Sequence, residues 1–465
     1  GYQTRRGDIK RVNGKGESMT FETKGKENKG ATYGRRSDWQ DLYSIAKKYY
    51  EALLADPGNA LFHLTDPRGA SDKSGRTFNN PYQYFFEQMH MDDAIYADES
   101  IYEYPMQQGG GNDGRPYSFG RPSSGGSKAA YPCKSYGQGR INPAYFYGVF
   151  DPNDMRRDVS ITMTGSNGKG VEKLIPFVPN SKAEGGGLTL NKWDENRQAN
   201  PWVAAQRKSG INGPYMRMSE VYLGYAEVCA ALGDVVTGKQ YLKTVRERSF
   251  PQGLANTDAF IASFGNDLVR AIIEERGFEY AGEGDRRWTL IRSGYLPEDI
   301  KRIKDMTKAM MDGLATKGYY EFENGNIISA YIWTKLVDAK TIYGHRLTAQ
   351  CPTDKVNDPV LYPGWRGQKD NWEEMGLNYG SSTPATNLAI KGLFEIVSEE
   401  EAASLESQGY AKVNWGIDLV DYRDEYDKYL FWDYDYVSAP IYLWPFTPNV
   451  MAAGGFTNGY GFKQE

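Results

Sequence analysis

Two carboxylates four residues apart are the most chemically suggestive pair in the sequence. Glu275 and Glu279 would lie one turn apart on the same face of a helix, with Glu283 nearby. Carboxyl groups about 5 Å apart are the arrangement that a retaining glycosidase uses. Three arginines are interleaved with them, namely Arg276, Arg286 and Arg287. Because opposite charges three or four residues apart pair on helix surfaces, the sequence favours an ion-paired structural cluster over a catalytic pair.

Motifs for nucleophilic or phosphate chemistry are absent from the sequence. It contains no G-x-S-x-G turn, and its histidines offer no preferred base. The histidines are far apart in the chain, at His63, His90 and His345. The glycine runs at 109–111 and 185–187 lack the Lys and Ser/Thr of a phosphate-binding loop, so we interpret them as flexible loops. We therefore predict that the protein is not an enzyme.

Metal and cofactor sites are not predicted either. The cysteines are Cys133, Cys229 and Cys351. Their spacing excludes a zinc ribbon and argues against a disulfide framework. The segment 418–436 is rich in Asp and Tyr and could offer oxygen ligands to calcium, but it lacks EF-hand spacing, so a solvated surface is favoured. We expect no metal and no cofactor.

The overall composition indicates a folded protein that does not bind nucleic acid. Of the 465 residues, 40% are hydrophobic and 25% are charged, so disorder is not the default. The formal net charge of −5 gives no basic footprint for nucleic acid. No run of about eighteen apolar residues could span a membrane. The first thirty residues are polar and rich in Gly and Lys, so we expect a flexible segment, and we expect the native N-terminus to lie upstream of Gly1.

Aromatic residues in Gly- and Pro-rich segments are the remaining candidates for a site. The chain has 35 Tyr, 10 Trp and 19 Phe, and rings of this kind can stack on the flat faces of sugars. The candidate rings are Tyr117, Phe119, Tyr136, Tyr145, Tyr147, Trp202, Trp365 and Trp372. The polar candidates beside them, which could bind hydroxyl groups, are Arg140, Asn142, Arg366 and Asn371. Packing remains the alternative for any single ring, but we expect at least two of the set to line the site.

Helical spacing of apolar residues identifies the elements that would position these groups. A first helix is predicted to begin near Ser37 and to end at Asp56-Pro57-Gly58. After Gly213-Pro214, an αα-hairpin with its break at Gly233-Asp234 is predicted. A third helix is predicted to begin near Asn266, with Asn266 as the N-cap and Asp267 in the first turn, and residues 299–314 are predicted to be helical.

The helices resemble tetratricopeptide repeats. We assign the repeat-like scaffold to residues 37–60 and 214–292. Residues 61–213 and 296–440 are punctuated by Gly, Pro and aromatic residues, and we expect them to form loop-rich regions that face a ligand. Residues 1–465 are expected to form a single domain.

Three separated segments resemble the SusD/RagB family, in the order that the family has them. The first is Pro214 to Val228, followed by the helix from Tyr241 to Arg248. The second runs from Ile273 to Arg292 and contains Glu275 and Glu279. The third is Tyr442-Leu-Trp-Pro445 with Asn458-Gly-Tyr460. The turn that contains Arg156 and Arg157 is similar to a further family motif.

The resemblance implies a mostly α fold, in which a tetratricopeptide-repeat-like helical scaffold carries a loop-rich, minor-β face. It implies that the Glu275–Glu279 run belongs to a structural network joining helix to loop. It also implies a cell-surface lipoprotein of the outer membrane, held by an N-terminal lipid anchor that this sequence does not include. Such a protein would bind an oligosaccharide and deliver it to a SusC-like TonB-dependent transporter. The alternative within the same architecture is a peptide-binding protein of the RagB type.

Overall fold

The computed structural model describes residues 11–12, 18–19, 38–67, 80–88, 98–110, 115–123, 135–166, 171–179, 186–194, 207–338, 386–430 and 446–455. Within these residues the chain is mainly helical. The helices are α1 (Trp39–Ala55), α2 (Pro81–Glu87), α3 (Arg115–Phe119), α4 (Arg156–Ser160), α5 (Met218–Ala231), α6 (Val235–Glu247), α7 (Thr257–Ala262), α8 (Leu268–Glu279), α9 (Asp285–Ser293), α10 (Leu296–Lys317), α11 (Glu399–Ser407), α12 (Gly416–Asp421), α13 (Arg423–Leu430) and α14 (Pro448–Gly454), with a π-helical turn at Tyr145–Val149.

The strands are short and form small antiparallel sheets. They are β1 (Arg11–Val12), β2 (Ser18–Met19), β3 (Ser100–Tyr104), β4 (Ile161–Thr162), β5 (Thr164–Ser166), β6 (Glu172–Leu174), β7 (Thr189–Leu190), β8 (Gly213–Arg217), β9 (Tyr319–Glu321), β10 (Ile327–Ser329), β11 (Tyr331–Asp338), β12 (Thr386–Lys391) and β13 (Ala411–Asn414). The two-stranded pairs are β1–β2, β3–β8, β4–β7, β5–β6 and β9–β10, and the three-stranded sheet has the order β12-β11-β13. The predicted helical scaffold with a minor β component is confirmed.

The helical hairpin α5–α6 forms where the sequence predicts it. Gly233 adopts φ +92°, which suits the tight turn because glycine has no Cβ to clash there. The Asp234 side chain then caps α6 by accepting a hydrogen bond from the backbone N–H of Thr237. Helix α1 lies on α5, where Tyr50 approaches Gly224 so closely that a Cβ at that position would clash. The two helices can therefore pack at this point only because residue 224 has no side chain.

Helix α8 begins at Leu268, and its cap differs from the prediction. Asp267 is the N-cap, and its side chain accepts a hydrogen bond from the backbone N–H of Arg270 at 3.1 Å. Asn266 precedes it in the left-handed region, with φ +62°. Almost every residue of α8 is buried, including the charged residues Glu275 and Glu279. Because the helix is surrounded by protein on all sides, its charged residues must find partners on other elements.

The region from residue 296 onwards is more regular than predicted. Helix α10 is 22 residues long, extending at both ends beyond the predicted 299–314, so the loop-rich assignment of 296–440 is wrong for its first part. The β9–β10 hairpin follows directly, and the strands β11, β12 and β13 form the largest sheet. The main apolar cluster joins this sheet to α10 and to the π-helical turn through residues such as Met310, Ile332 and Phe146. The domain assignment itself remains a prediction.

Candidate functional site

The Glu275–Glu279 pair lies in a buried charge network rather than in an open cleft. The Glu279 side chain is fully buried. Its carboxylate accepts hydrogen bonds from Arg156 at 3.0 Å, from Arg217 at 2.5 Å and from Arg248 at 2.8 Å. Burial alone would raise the pKa of Glu279, but these three guanidinium groups outweigh burial and hold the pKa well below its usual range. The carboxylate is therefore ionised and cannot serve as an acid.

The network joins several segments that are distant in sequence. Glu275 lies 2.7 Å from Arg156, at the start of α4, and 2.9 Å from Arg246, near the end of α6. Glu99, just before β3, pairs with both Arg217 and Arg248. These side chains fix the ends of α5, α6 and α8 against the turn before α4. The prediction of a structural network that joins helix to loop is confirmed.

Lys192 adds a buried amine to the same network. Its Nζ donates hydrogen bonds to Glu283 at 2.6 Å and to the backbone carbonyl of Glu279 at 3.3 Å. The amine also lies 4.8 Å from the centre of the Phe86 ring. Burial lowers the pKa of Lys192 to about 8, and the nearby Glu283 carboxylate reduces this shift. A cation is thus held here by one carboxylate and by aromatic faces.

The partners of these carboxylates are not those predicted from the helix itself. Arg276 instead binds Glu220, with a shortest distance of 2.7 Å, and Asp285 at 2.6 Å. Arg286 binds Glu274 and Asp299. Pairing along α8 is seen only between Arg270 and Glu274, at 3.4 Å within the described residues, because the helix is buried and its other charges meet other elements. The expectation of ion-paired carboxylates was right, and only the identity of the partners changes.

Several of the predicted ligand-binding residues do come together, where helix α3 lies beside the segment 135–139. The backbone N–H of Tyr136 donates to the Tyr117 carbonyl at 2.7 Å, and that of Gln138 donates to the Ser118 carbonyl at 2.7 Å. These bonds bring the Tyr117 and Tyr136 rings to 4.9 Å between centroids, in an edge-to-face arrangement. Phe119, 44% exposed, lies beside them against Gly139.

An arginine that the sequence did not single out completes this cluster. The Arg207 guanidinium lies 4.2 Å from the centre of the Tyr117 ring, on an exposed residue with φ +64°. A hydrogen bond with Tyr117 raises the pKa of Tyr136, while the Arg207 charge acts in the opposite direction. We call Tyr117, Phe119, Tyr136, Gln138 and Arg207 the tyrosine surface. It offers the exposed Phe119 ring and the partly exposed Tyr136 ring for stacking, beside an amide and a guanidinium for hydrogen bonding.

Comparison with known proteins identifies the family. The model of the SusD family matches residues 66–445. The chain belongs to the SusD family. SusD-like protein P25 of Formosa agariphila is 28% identical over 160 residues, which are 34% of this chain and 26% of that protein. The chain thus spans about a quarter of the length of this curated relative.

Solved structures of the SusD type also match. A SusD homolog from Bacteroides thetaiotaomicron has 16% identity and a TM-score of 0.38, and the match covers 57% of this chain and 54% of that one. Surface glycan-binding protein A of the same organism, solved with laminarihexaose, has 19% identity and a TM-score of 0.36, with 56% and 52% covered. The matches therefore span about half of each of these solved chains.

Other residues predicted for the site of this SusD-family chain have structural tasks. Tyr147 is fully buried, and its hydroxyl accepts a hydrogen bond from Trp415 Nε1 at 2.8 Å, so the prediction of a loop residue facing a ligand does not fit its position. The Tyr145 hydroxyl donates to the Gly277 carbonyl at 2.8 Å. Both rings belong to the π-helical turn, which packs in the core and is not a loop.

Arg140 and Asn142 lie between the tyrosine surface and the core. Asn142 accepts a hydrogen bond from the backbone N–H of Ala144 at 2.8 Å and donates to Thr307 of α10 at 3.0 Å, which positions the π-helical turn. Arg140 is half-buried in an isolated bridge with Thr189, and burial lowers its pKa to about 10. Arg140 sits at the edge of the tyrosine surface and stays a candidate for the site.

The other predicted aromatic and polar candidates cannot be placed. Trp202, Trp365, Arg366, Asn371 and Trp372 lie outside the described residues. Their role in ligand binding remains a prediction. Within the described part of the chain, no group of three or more His, Cys, Asp or Glu residues could hold a metal ion. No helix among those residues is long and apolar enough to cross a membrane.

A further set of exposed rings was missed by the sequence analysis. Tyr102 and Tyr104 on β3 and Tyr215 on β8 are each more than half exposed, while Glu103 between the first two is buried. The alternation of tyrosine with a charged residue at 102–104 was the available signal for a strand. It was obscured because residues 61–213 as a whole have the composition of loops.

Proposed function

We propose that this chain binds an oligosaccharide at the cell surface and delivers it to a SusC-like TonB-dependent transporter in the outer membrane. Membership of the SusD family supports the general assignment. The tyrosine surface carries the binding part of the proposal, because it combines the exposed Phe119 ring and the partly exposed Tyr136 ring with polar groups. The protein would be held at the outer membrane by a lipid anchor.

The chemistry of the tyrosine surface suits a sugar. The exposed Phe119 ring and the partly exposed Tyr136 ring offer apolar surface for the C–H face of a pyranose ring. Gln138 and Arg207 are exposed and can donate directional hydrogen bonds to hydroxyl groups. The Arg207 guanidinium is already positioned on the Tyr117 ring, so binding would fix few additional torsions.

The proposal requires no covalent chemistry. Glu275 and Glu279 are fully buried and paired with arginines, so neither has access to a glycosidic bond. We therefore propose a binding protein without hydrolytic activity. Incubation of a bound oligosaccharide with the protein, followed by chromatography, should return it intact. Release of shorter products that disappears in a Glu275→Gln variant would overturn this part.

A glycan array followed by calorimetry tests the ligand class. We expect saturable binding to one class of oligosaccharide, and a loss of about tenfold or more in affinity for Phe119→Ala. Trp288→Ala is the matched control, because Trp288 is 52% exposed on α9 and lies outside the tyrosine surface. Equal losses in the two variants, or binding of peptides in place of glycans, would contradict the proposal.

Delivery to a transporter needs a separate measurement. The protein with its native N-terminus, expressed beside candidate TonB-dependent barrels, should co-purify with one of them from outer membranes. Protease treatment of intact cells should remove it if it faces outward. A protein recovered only from the soluble fraction, without a barrel, would refute the delivery step while leaving glycan binding in place.

A further inference from the structure

A cleft of about 780 Å³ lies apart from the tyrosine surface, beside the second half of α6. Its walls are formed by α6, by the segment that leads into α7, and by Leu64 and Pro81. Phe250 and Met155, both nearly buried, supply apolar lining. The volume is within the range of small-molecule sites.

Two buried polar atoms on residues that line this cleft lack hydrogen-bond partners within the described part of the chain. They are the hydroxyl oxygen of Thr257 and the Nε of Arg248. Both residues are only 5% exposed. The Thr257 hydroxyl is not needed to cap α7, because Asn256 accepts the hydrogen bond from the Ala259 N–H. Buried polar groups are nearly always hydrogen-bonded, and since both atoms expose almost no surface, a partner in the cleft could reach the Thr257 hydroxyl only after its side chain rotates.

The cleft is lined by exposed charges of both signs, because Lys239 and Lys243 share it with Glu247 and Asp258. Lys239 and Lys243 lie on successive turns of α6 and line the same space. Their carboxylate partners are Asp258 at 2.5 Å and Glu247 at 3.6 Å, and all four side chains are substantially exposed. Exposed pairs of this kind are weak and exchange readily. Either ammonium group can therefore turn towards an anion in the cleft.

We propose that this cleft is a second ligand site, for a sugar that carries a carboxylate. The carboxylate would accept hydrogen bonds from a lysine ammonium and, after a rotation of the Thr257 side chain, from the Thr257 hydroxyl. The ring would lie against Phe250, with its hydroxyl groups near the amides of Gln252 and Asn256. This site is separate from the tyrosine surface and does not depend on binding there.

Titration of the wild-type protein with D-glucuronate and with D-glucose tests the charge requirement. In NMR spectra of the protein, we expect chemical shift changes that saturate with glucuronate and that are absent with glucose at the same concentrations. Acetate and a dipeptide with a blocked, uncharged N-terminus and a free C-terminal carboxylate are the further probes. Equal affinity for glucuronate and glucose, equal affinity for all carboxylates, or no saturation with glucuronate would overturn the proposal.

Thr257→Val tests the site directly, because valine has the shape of threonine without the hydroxyl. We expect glucuronate affinity to fall by about tenfold. Thermal stability should be unchanged or higher, since the variant removes a buried hydroxyl that has no partner.

Lys243→Gln should weaken glucuronate binding, whereas Lys308→Gln, the same charge change on α10, should not. Phe119→Ala should leave glucuronate binding intact, which separates this site from the proposed glycan surface. Unchanged affinity in Thr257→Val would refute the proposal.

Discussion

Arginine is used in opposite ways in the buried charge network and on the tyrosine surface. In the network, Arg156, Arg217 and Arg248 are nearly inaccessible and share the Glu279 carboxylate. On the surface, Arg207 is exposed and stacks on Tyr117. A buried charge has no water to replace a lost partner, whereas an exposed charge does. The network therefore constrains the fold, while the surface can change with the ligand at little cost in stability.

The largest effect should come from breaking the network at its shared carboxylate. Glu279→Gln keeps the shape of the side chain but leaves three buried guanidinium groups without their common anion. We expect a loss of about 3–5 kcal/mol in the free energy of unfolding. Urea denaturation followed by circular dichroism measures it. A loss below about 1 kcal/mol would mean that Glu99 and Glu283 alone hold the network.

The pH dependence of stability should also reflect the buried charges. Burial would raise the pKa of Glu274, but Arg286, Arg302 and Arg270 lower it from 4.5 to about 2. Because the folded pKa is depressed, the stabilisation is fully present above about pH 4.5 and is lost as the pH falls towards 2. The difference in unfolding free energy between wild type and Glu274→Gln should therefore shrink on acidification, by on the order of 3 kcal/mol. A constant difference between pH 7 and 3 would contradict the shifted pKa.

On the tyrosine surface, a substitution should weaken ligand binding with little change in the free energy of unfolding. Phe119→Ala should leave the unfolding free energy within about 0.5 kcal/mol of wild type, because the ring is already 44% exposed. The affinity for the glycan identified by the array should fall. Calorimetry and thermal unfolding of the same samples measure both quantities. A stability loss comparable with that of Glu279→Gln would assign the ring to packing and remove the contrast between the two regions.

The smallest effect should come from an ion pair at the surface of the scaffold. Lys301 and Asp305 are one turn apart on α10, and both are more than 60% exposed. Lys301→Ala should cost at most about 0.5 kcal/mol, and less in high salt. Denaturation at two salt concentrations tests this. A larger loss would show that exposure does not decide how much an ion pair contributes in this protein.

The positions of the helices could be predicted because they depend on local patterns. Within each of α1, α5 and α6, and at the break at Gly233, the residues that form the pattern are only a few positions apart in the sequence. The N-cap of α8 was predicted one residue too early, at Asn266 instead of Asp267. Both residue types are good N-caps, and the choice between them depends on backbone angles. Tyr147 was misassigned because its Gly-rich surroundings resemble a loop, although Trp415, far away in sequence, encloses it.

The sequence by itself determined the family, the helical scaffold and the ion pairing of the carboxylates on α8, because each depends on neighbouring residues or on motifs in order. Only the tertiary structure decided which arginine pairs with which carboxylate, since the partners of Glu279 come from residues 156, 217 and 248. It also placed Arg207 on Tyr117 and put Thr257 and Arg248 in the same cleft. These contacts join segments that no local pattern connects, and burial rather than spacing determines their strength.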